Sequence, residues 1–162
     1  MLRNDPLLVD DGERGLETRL TELLGVGAVQ SVPLGVYDLL WYGPDGSETH
    51  LGERKTANDL VASIVDDRLL DETERAHAQS GYLWLFVAGQ VAPWRGGLRT
   101  YWGKHKATYK GIEWEHTHEY AMPMARVEAH LFDLDYWCGV HVAGGLDEEQ
   151  LARSVARLYQ KR

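Results

Sequence analysis

The sequence predicts an α/β fold, a three-layer α/β/α sandwich around a central mixed sheet. Three observations carry the prediction. Strand-like apolar runs are flanked by amphipathic helical runs at both ends of the chain. One tight hairpin signal, Gly43-Pro44-Asp45-Gly46-Ser47, stands between two strand-like runs. The chain has 162 residues, 44% of them hydrophobic, the size of a single domain able to bury a core without disulfides.

In chain order, Leu7-Leu8-Val9 reads as a strand running into the acidic loop Asp10-Asp11. Leu16, Leu20, Leu23 and Leu24 then recur at helical spacing, and Gly25 and Gly27 close that helix. Residues 28–32 form an edge strand. Residues 36–42 and 49–55 are hairpin partners. With a two-residue Asp45-Gly46 loop, Tyr42 faces Thr49 and Asp38 faces Glu53. From Asn58 the pattern turns helical through Leu60, Val61, Ile64 and Val65, and residues 71–79 extend it as a second helix. Residues 82–87, YLWLFV, are a buried central strand. Residues 122–134 read as a helix and 136–142 as a strand broken by Gly144-Gly145; Asp147 to Gln160 is a terminal helix.

No run is long and apolar enough to span a membrane, and the opening Met-Leu-Arg-Asn has no signal-peptide character, so the expectation is a soluble, cytoplasmic protein. Cys138 is the only cysteine, which excludes an intrachain disulfide and a thiolate zinc site. The net charge of −8 opposes nucleic-acid binding until its distribution is examined. Residues 89–112 hold five bases, Arg95, Arg99, Lys104, Lys106 and Lys110, and no acid. Trp94, Tyr101, Trp102 and Tyr109 interleave with them. The domain is therefore read as one unit, 1–162, with a basic aromatic insertion at about 91–111. This segment is either a DNA contact, with bases on phosphates and Trp102 on an unpaired base, or a solvated hairpin with Trp94 and Trp102 packed inward.

The run Gly52 to Asp59, GERKTAND, sets an acid, two bases and another acid at a strand-to-helix junction. Strand alternation puts Glu53 and Lys55 on the face shared with Asp38, and Arg54 on the other. Two like charges directly opposed destabilise a strand pair by about 0.2–1 kcal/mol. A hard divalent cation, which takes oxygen ligands and commonly one or two carboxylates, turns that repulsion into a site.

The longer run GERKTANDLVASIVDDRL resembles the signature of the XPF-type structure-specific endonucleases, ERKxxxD followed by a Ser-Ile-x-Asp-x-Arg helix. Glu53, Arg54, Lys55, Asp59, Ser63, Ile64, Asp66, Arg68 and Leu69 fit it. The upstream GVYDLLWY resembles the family's Gly-Asp strand, with Tyr37 in place of the usual Gly, and Asp67 stands where the helix commonly has Gly. The resemblance covers residues 7–89. It implies the restriction-endonuclease-like fold of the PD-(D/E)xK superfamily and a Mg²⁺- or Mn²⁺-dependent endodeoxyribonuclease of the repair or recombination type.

On this resemblance Asp38 and Glu53 are metal ligands, with Asp10 and Glu13 of DDGER as weaker matches. Lys55 orients or activates the water. Arg54 binds a phosphate, holds Asp59 or forms a structural ion pair; Asp59 belongs to the motif and also complements a helix dipole. The implied partner is branched or partly single-stranded DNA, with a homodimer as the oligomer to consider. The family's tandem helix-hairpin-helix domain has no counterpart in this sequence. The alternative is a catalytically silent nuclease-fold protein that binds DNA or a protein partner; intact Asp38, Glu53 and Lys55 discriminate for the enzyme.

Overall fold

The computed structural model describes residues 5–69, 71, 81–105, 112–145 and 147–161. A six-stranded sheet has the order β2-β1-β3-β4-β5-β9, built from β1 (Leu7–Asp10), β2 (Val29–Val32), β3 (Leu39–Tyr42), β4 (Thr49–Thr56), β5 (Tyr82–Ala88) and β9 (Val140–Gly145). β1 and β2 are parallel, as are β4, β5 and β9, while β3 runs antiparallel to both β1 and β4. The sheet is mixed, as expected, and β2 is an edge.

Strand alternation divides the core into two halves. Leu39 and Trp41 face one side with Leu7, Val9 and Phe86, covered by Leu16 and Leu20 of α1 (Arg14–Leu24) and by Leu151, Val155 and Tyr159 of the terminal helix (Glu148–Gln160). Leu40, Leu51, Leu83 and Leu85 face the other, covered by Leu60, Val61 and Ile64 of α2 (Ala57–Val65) and by Val127 and Leu134 of α3 (Met124–Tyr136). The terminal helix is α4. Each such buried aliphatic side chain contributes roughly 1.5–3 kcal/mol, so α2 is held by packing more than by helix propensity. Among the described residues no helix is long and apolar enough to cross a membrane.

The hairpin register agrees with the expectation, Tyr42 opposite Thr49, but the loop is longer. Gly46 N–H donates to Gly43 O at 3.0 Å and Gly43 N–H to Glu48 O at 2.8 Å, so the turn centres on Pro44 and Asp45. Proline presets φ for that turn position. The last strand also differs: α3 continues to Tyr136, and β9 includes both glycines. At Gly144 a Cβ would stand 2.6 Å from Val87 O, so these glycines permit close backbone approach instead of breaking the strand. The second helix expected over 71–79 lies outside the described residues apart from Asp71.

The segment after β5 is a second sheet of order β6-β7-β8: β6 (Gln90–Trp94), β7 (Gly97–His105) and β8 (Ile112–Tyr120). It runs beyond the basic aromatic insertion read at about 91–111, and Leu98, fully buried, seats it on the α2 side of the core. Tyr120 O–H donates to Asn58 Oδ1 at 2.5 Å, tying β8 to the first turn of α2.

Candidate active site

β4 emerges from the core with its charges sorted by alternation. Leu51, Glu53 and Lys55 line a small cavity with Tyr37, Leu83 and Leu85 on the α2 side. Lys55 Nζ lies 3.9 Å from Glu53 Oε1, with the lysine side chain 11% exposed and the glutamate 39%. On the other face, Gly52 leaves room for Leu39 and Phe86, each 3.0 Å from where its Cβ would be. Arg54 follows on that face. Its Nε donates to Glu13 Oε2 at 2.7 Å, and its Nη1 is paired with Glu148 at the start of α4.

Arg54 is therefore held by two carboxylates. Glu13 and Glu148 keep its guanidinium charged against the burial that opposes it. It does not reach Asp59, the partner considered from the sequence. Glu148 is a site residue that sequence reasoning missed. Burial pushes its carboxyl above the usual range, and Arg54 opposes that rise.

Asp38 stands just before β3. Its N–H donates to Gly52 O at 2.9 Å, and its Oδ2 accepts the Arg54 backbone N–H at 2.6 Å. Burial pushes its carboxyl up to about 6; the Arg54 N–H bond opposes this, while the charges of Glu13 and Asp10 add to it. The sequence argument expected repulsion from Glu53 directly opposite. β3 begins at Leu39, so strand alternation does not extend back to Asp38, and its acidic neighbours come from β1 and the β1–α1 loop.

Asp10 Oδ1 accepts Leu34 N–H at 2.8 Å and its Oδ2 accepts Gly12 N–H at 3.1 Å. Those N–H bonds, Leu34 first, hold its carboxyl below the usual range. Asp10 and Glu13 are thus engaged with backbone and with Arg54. Asp59 is exposed in the first turn of α2, where Thr56 Oγ1 accepts its N–H at 3.0 Å as an N-cap.

Among the described residues no three His, Cys, Asp or Glu are gathered tightly enough to enclose a metal ion. A hard divalent ion does not require such a cage. Mg²⁺ is commonly held by one or two carboxylates with water and substrate phosphate completing the shell. Asp38, just before β3, and Glu53, on β4, are carboxylates of that kind. The half-buried Asp38 carboxyl, raised to about 6, is a group that a cation would stabilise. The donor chemistry, carboxylate oxygens, is of the kind such an ion takes.

The insertion looks different from its sequence. β7 pairs with an acidic strand, Arg99 opposite Glu119, Trp102 opposite Glu115 and Lys104 opposite Glu113. Arg99 is bonded to Glu119, its Nε at 2.6 Å from Oε1, and its guanidinium lies 3.6 Å from the centre of the Trp94 ring. Trp102 is half-buried and packs against the main core. Lys106 and Lys110 lie outside the described residues, as does the Lys104 side chain.

The fold and its central strand define a three-layer α/β/α protein on a mixed sheet, with an acidic and basic run ending at a helix start. Residues 9–99 match the ERCC4 domain, a span that holds Asp10, Glu13, Asp38 and all of Glu53 to Asp59. The chain belongs to the ERCC4 domain family. Among solved structures it is similar to XPF from Aeropyrum pernix, with 21% identity and a TM-score of 0.67 over 97% of this chain. It is also similar to XPF from Aeropyrum pernix in complex with DNA, with 22% identity and a TM-score of 0.64 over 96% of this chain. These likenesses speak for the fold. The chain spans 64% and 65% of the two structures. No curated protein matches it.

Proposed function

We propose that this chain is a metal-dependent DNA endonuclease that hydrolyses phosphodiester bonds in branched or partly single-stranded DNA. The observation that carries the reading is the single face of β4 on which Glu53 and Lys55 stand 3.9 Å apart, with a half-buried Asp38, its carboxyl raised to about 6, just before the neighbouring β3. Asp38 and Glu53 would hold Mg²⁺ or Mn²⁺, and the bound ion would activate water and offset charge on the phosphoryl oxygens. Lys55, nearly enclosed, has little freedom to leave that face. Its ammonium orients the water and stabilises charge that develops as the bond breaks. Arg54 fixes the strand from behind, through Glu13 and Glu148. In this reading Asp10 and Glu13 shape the loop beside Asp38 and are not ligands. Asp59 supports the start of α2.

The test is cleavage of a panel of labelled linear, flap and fork DNAs with Mg²⁺ or Mn²⁺. Cutting of branched substrates that stops in excess EDTA is expected. Undiminished cutting in EDTA removes the metal from the proposal, and DNA binding without any cutting favours the silent alternative.

A further inference from the structure

The β6–β7 turn is strained at a residue that does not suit it. Trp94 and Gly97 are the last paired residues, so Arg95 and Gly96 form a two-residue loop, with φ of +46° and +81°. Both positions are left-handed, the pattern that selects Asn, Asp or Gly. A long side chain such as arginine at a positive φ is uncommon and costs stability. Strain of this kind persists where the side chain is wanted for something else.

We propose that Arg95 is a phosphodiester contact at the tip of the second sheet, gripping a DNA strand beside the β4 site. The proposal rests on the nuclease reading and names where the insertion touches its substrate. Two guanidinium groups share the Trp94 ring, Arg99 at 3.6 Å and Arg95 at 5.1 Å from its centre. Arg99 is committed to Glu119. Arg95 is exposed and, among the described residues, has no carboxylate within ion-pair distance. In a chain with 25 acids and 17 bases, such a cation is available to an outside anion.

The turn edges an open hollow of about 410 Å³ lined by Trp94, Arg95, Gly97, Glu119 and Tyr120. The tip lies close against β8, since at Gly97 a Cβ would already meet Tyr120 O. Tyr120 in turn bonds to Asn58, three positions beyond Lys55. The turn that carries Arg95 is thus tied through Tyr120 to the first turn of α2, which follows β4 directly. The ligand is a phosphate and not a stacked base, because Arg99 already covers the indole face.

The experiment is Arg95→Gly, with Arg95→Asn as a second strain-relieving variant and Arg95→Lys as the charge-keeping one. Affinity for a fluorescent DNA is measured in Ca²⁺, against salt, beside thermal denaturation. Gly and Asn are expected to raise Tm by about 2–4 °C. They should weaken DNA binding by about tenfold and make the slope of log affinity against log salt shallower by about 0.9. Lys should keep most of the slope. Parent-like affinity and slope in Arg95→Gly overturn this proposal alone. A parent that binds no DNA overturns the nuclease reading with it. Displacement of DNA by inorganic phosphate at constant ionic strength assigns the arginine to a free anion and overturns it as well.

Discussion

β4 and β7 both carry charged residues, and they differ in where the opposing charges come from. On β4 the acid and base that matter, Glu53 and Lys55, are two residues apart and lie on one face by strand geometry alone. On β7 the bases look unopposed along the chain, yet the sheet sets Glu119 against Arg99. A local charge count describes a surface only when no partner strand intervenes. The insertion is thus less cationic as a folded object than as a segment, whereas the β4 run keeps its arrangement.

That contrast is tested hardest at Lys55 and Arg54, adjacent residues on opposite faces. Lys55→Ala is expected to lower turnover by about 10³-fold while changing DNA affinity little, because in the proposed mechanism its charge acts on the transition state. Equal losses in single-turnover rate and in affinity measured in Ca²⁺ would make it a phosphate clamp instead. Arg54→Ala should act on the fold. It leaves Glu13 and Glu148 partly buried without their cation, and at this partial exposure the expected loss is about 2–3 kcal/mol in urea unfolding. A variant with parental stability and lost activity would move Arg54 to the reaction side of the strand.

Asp38 supplies a pH test. Its folded carboxyl titrates at about 6 against an ordinary 3.8, so between those values the folded state binds more protons than the unfolded one. Stability of the metal-free protein is therefore expected to fall as pH rises from about 4 to 6, by up to about 3 kcal/mol, and then to level off for this group. The raised Glu148 carboxyl acts in the same direction. Asp38→Asn should flatten the profile and stabilise the metal-free protein at pH above about 6. Added Mn²⁺ should recover stability in the parent more than in the variant. Parallel pH profiles of parent and variant would show that Asp38 carries no such burden.

Much of the fold was legible because it depends on short-range pattern. Apolar spacing marked α1, α2 and α4, and the Asp45-Gly46 pair marked the β3–β4 register, even though Pro44 made the turn longer. β9 was misplaced by several residues because glycine normally signals a break, and here it permits β5 and α4 to approach. At the site, the β4 face was legible from alternation. The environment of Asp38 was not, since alternation stops where β3 stops. Glu148 was hidden for a different reason: acids at the start of α4 are already explained by the helix dipole, so nothing marked one of them as the partner of an arginine far back in the chain.

The smallest expected effect is also the most direct probe of β7. If Glu119 neutralises Arg99, then Glu119→Gln releases a cation without altering the strand, because glutamine keeps the length and a hydrogen-bonding oxygen. The Arg99 guanidinium remains on the Trp94 ring, which orients it independently of the carboxylate. DNA affinity should rise modestly, and the salt dependence should steepen by about 0.9 for the one phosphate that Arg99 can then meet. Lys104, Lys106 and Lys110 changed together to Gln should shift the slope the opposite way, by up to about 2.7 on the same rule if all three contact phosphates. An unchanged slope in Glu119→Gln, in a protein whose Lys variant does shift, would place the DNA path along the lysines and away from Arg99. The Arg99–Glu119 pair would then serve the sheet itself, sealing the indole of Trp94 under a cation that no ligand reaches.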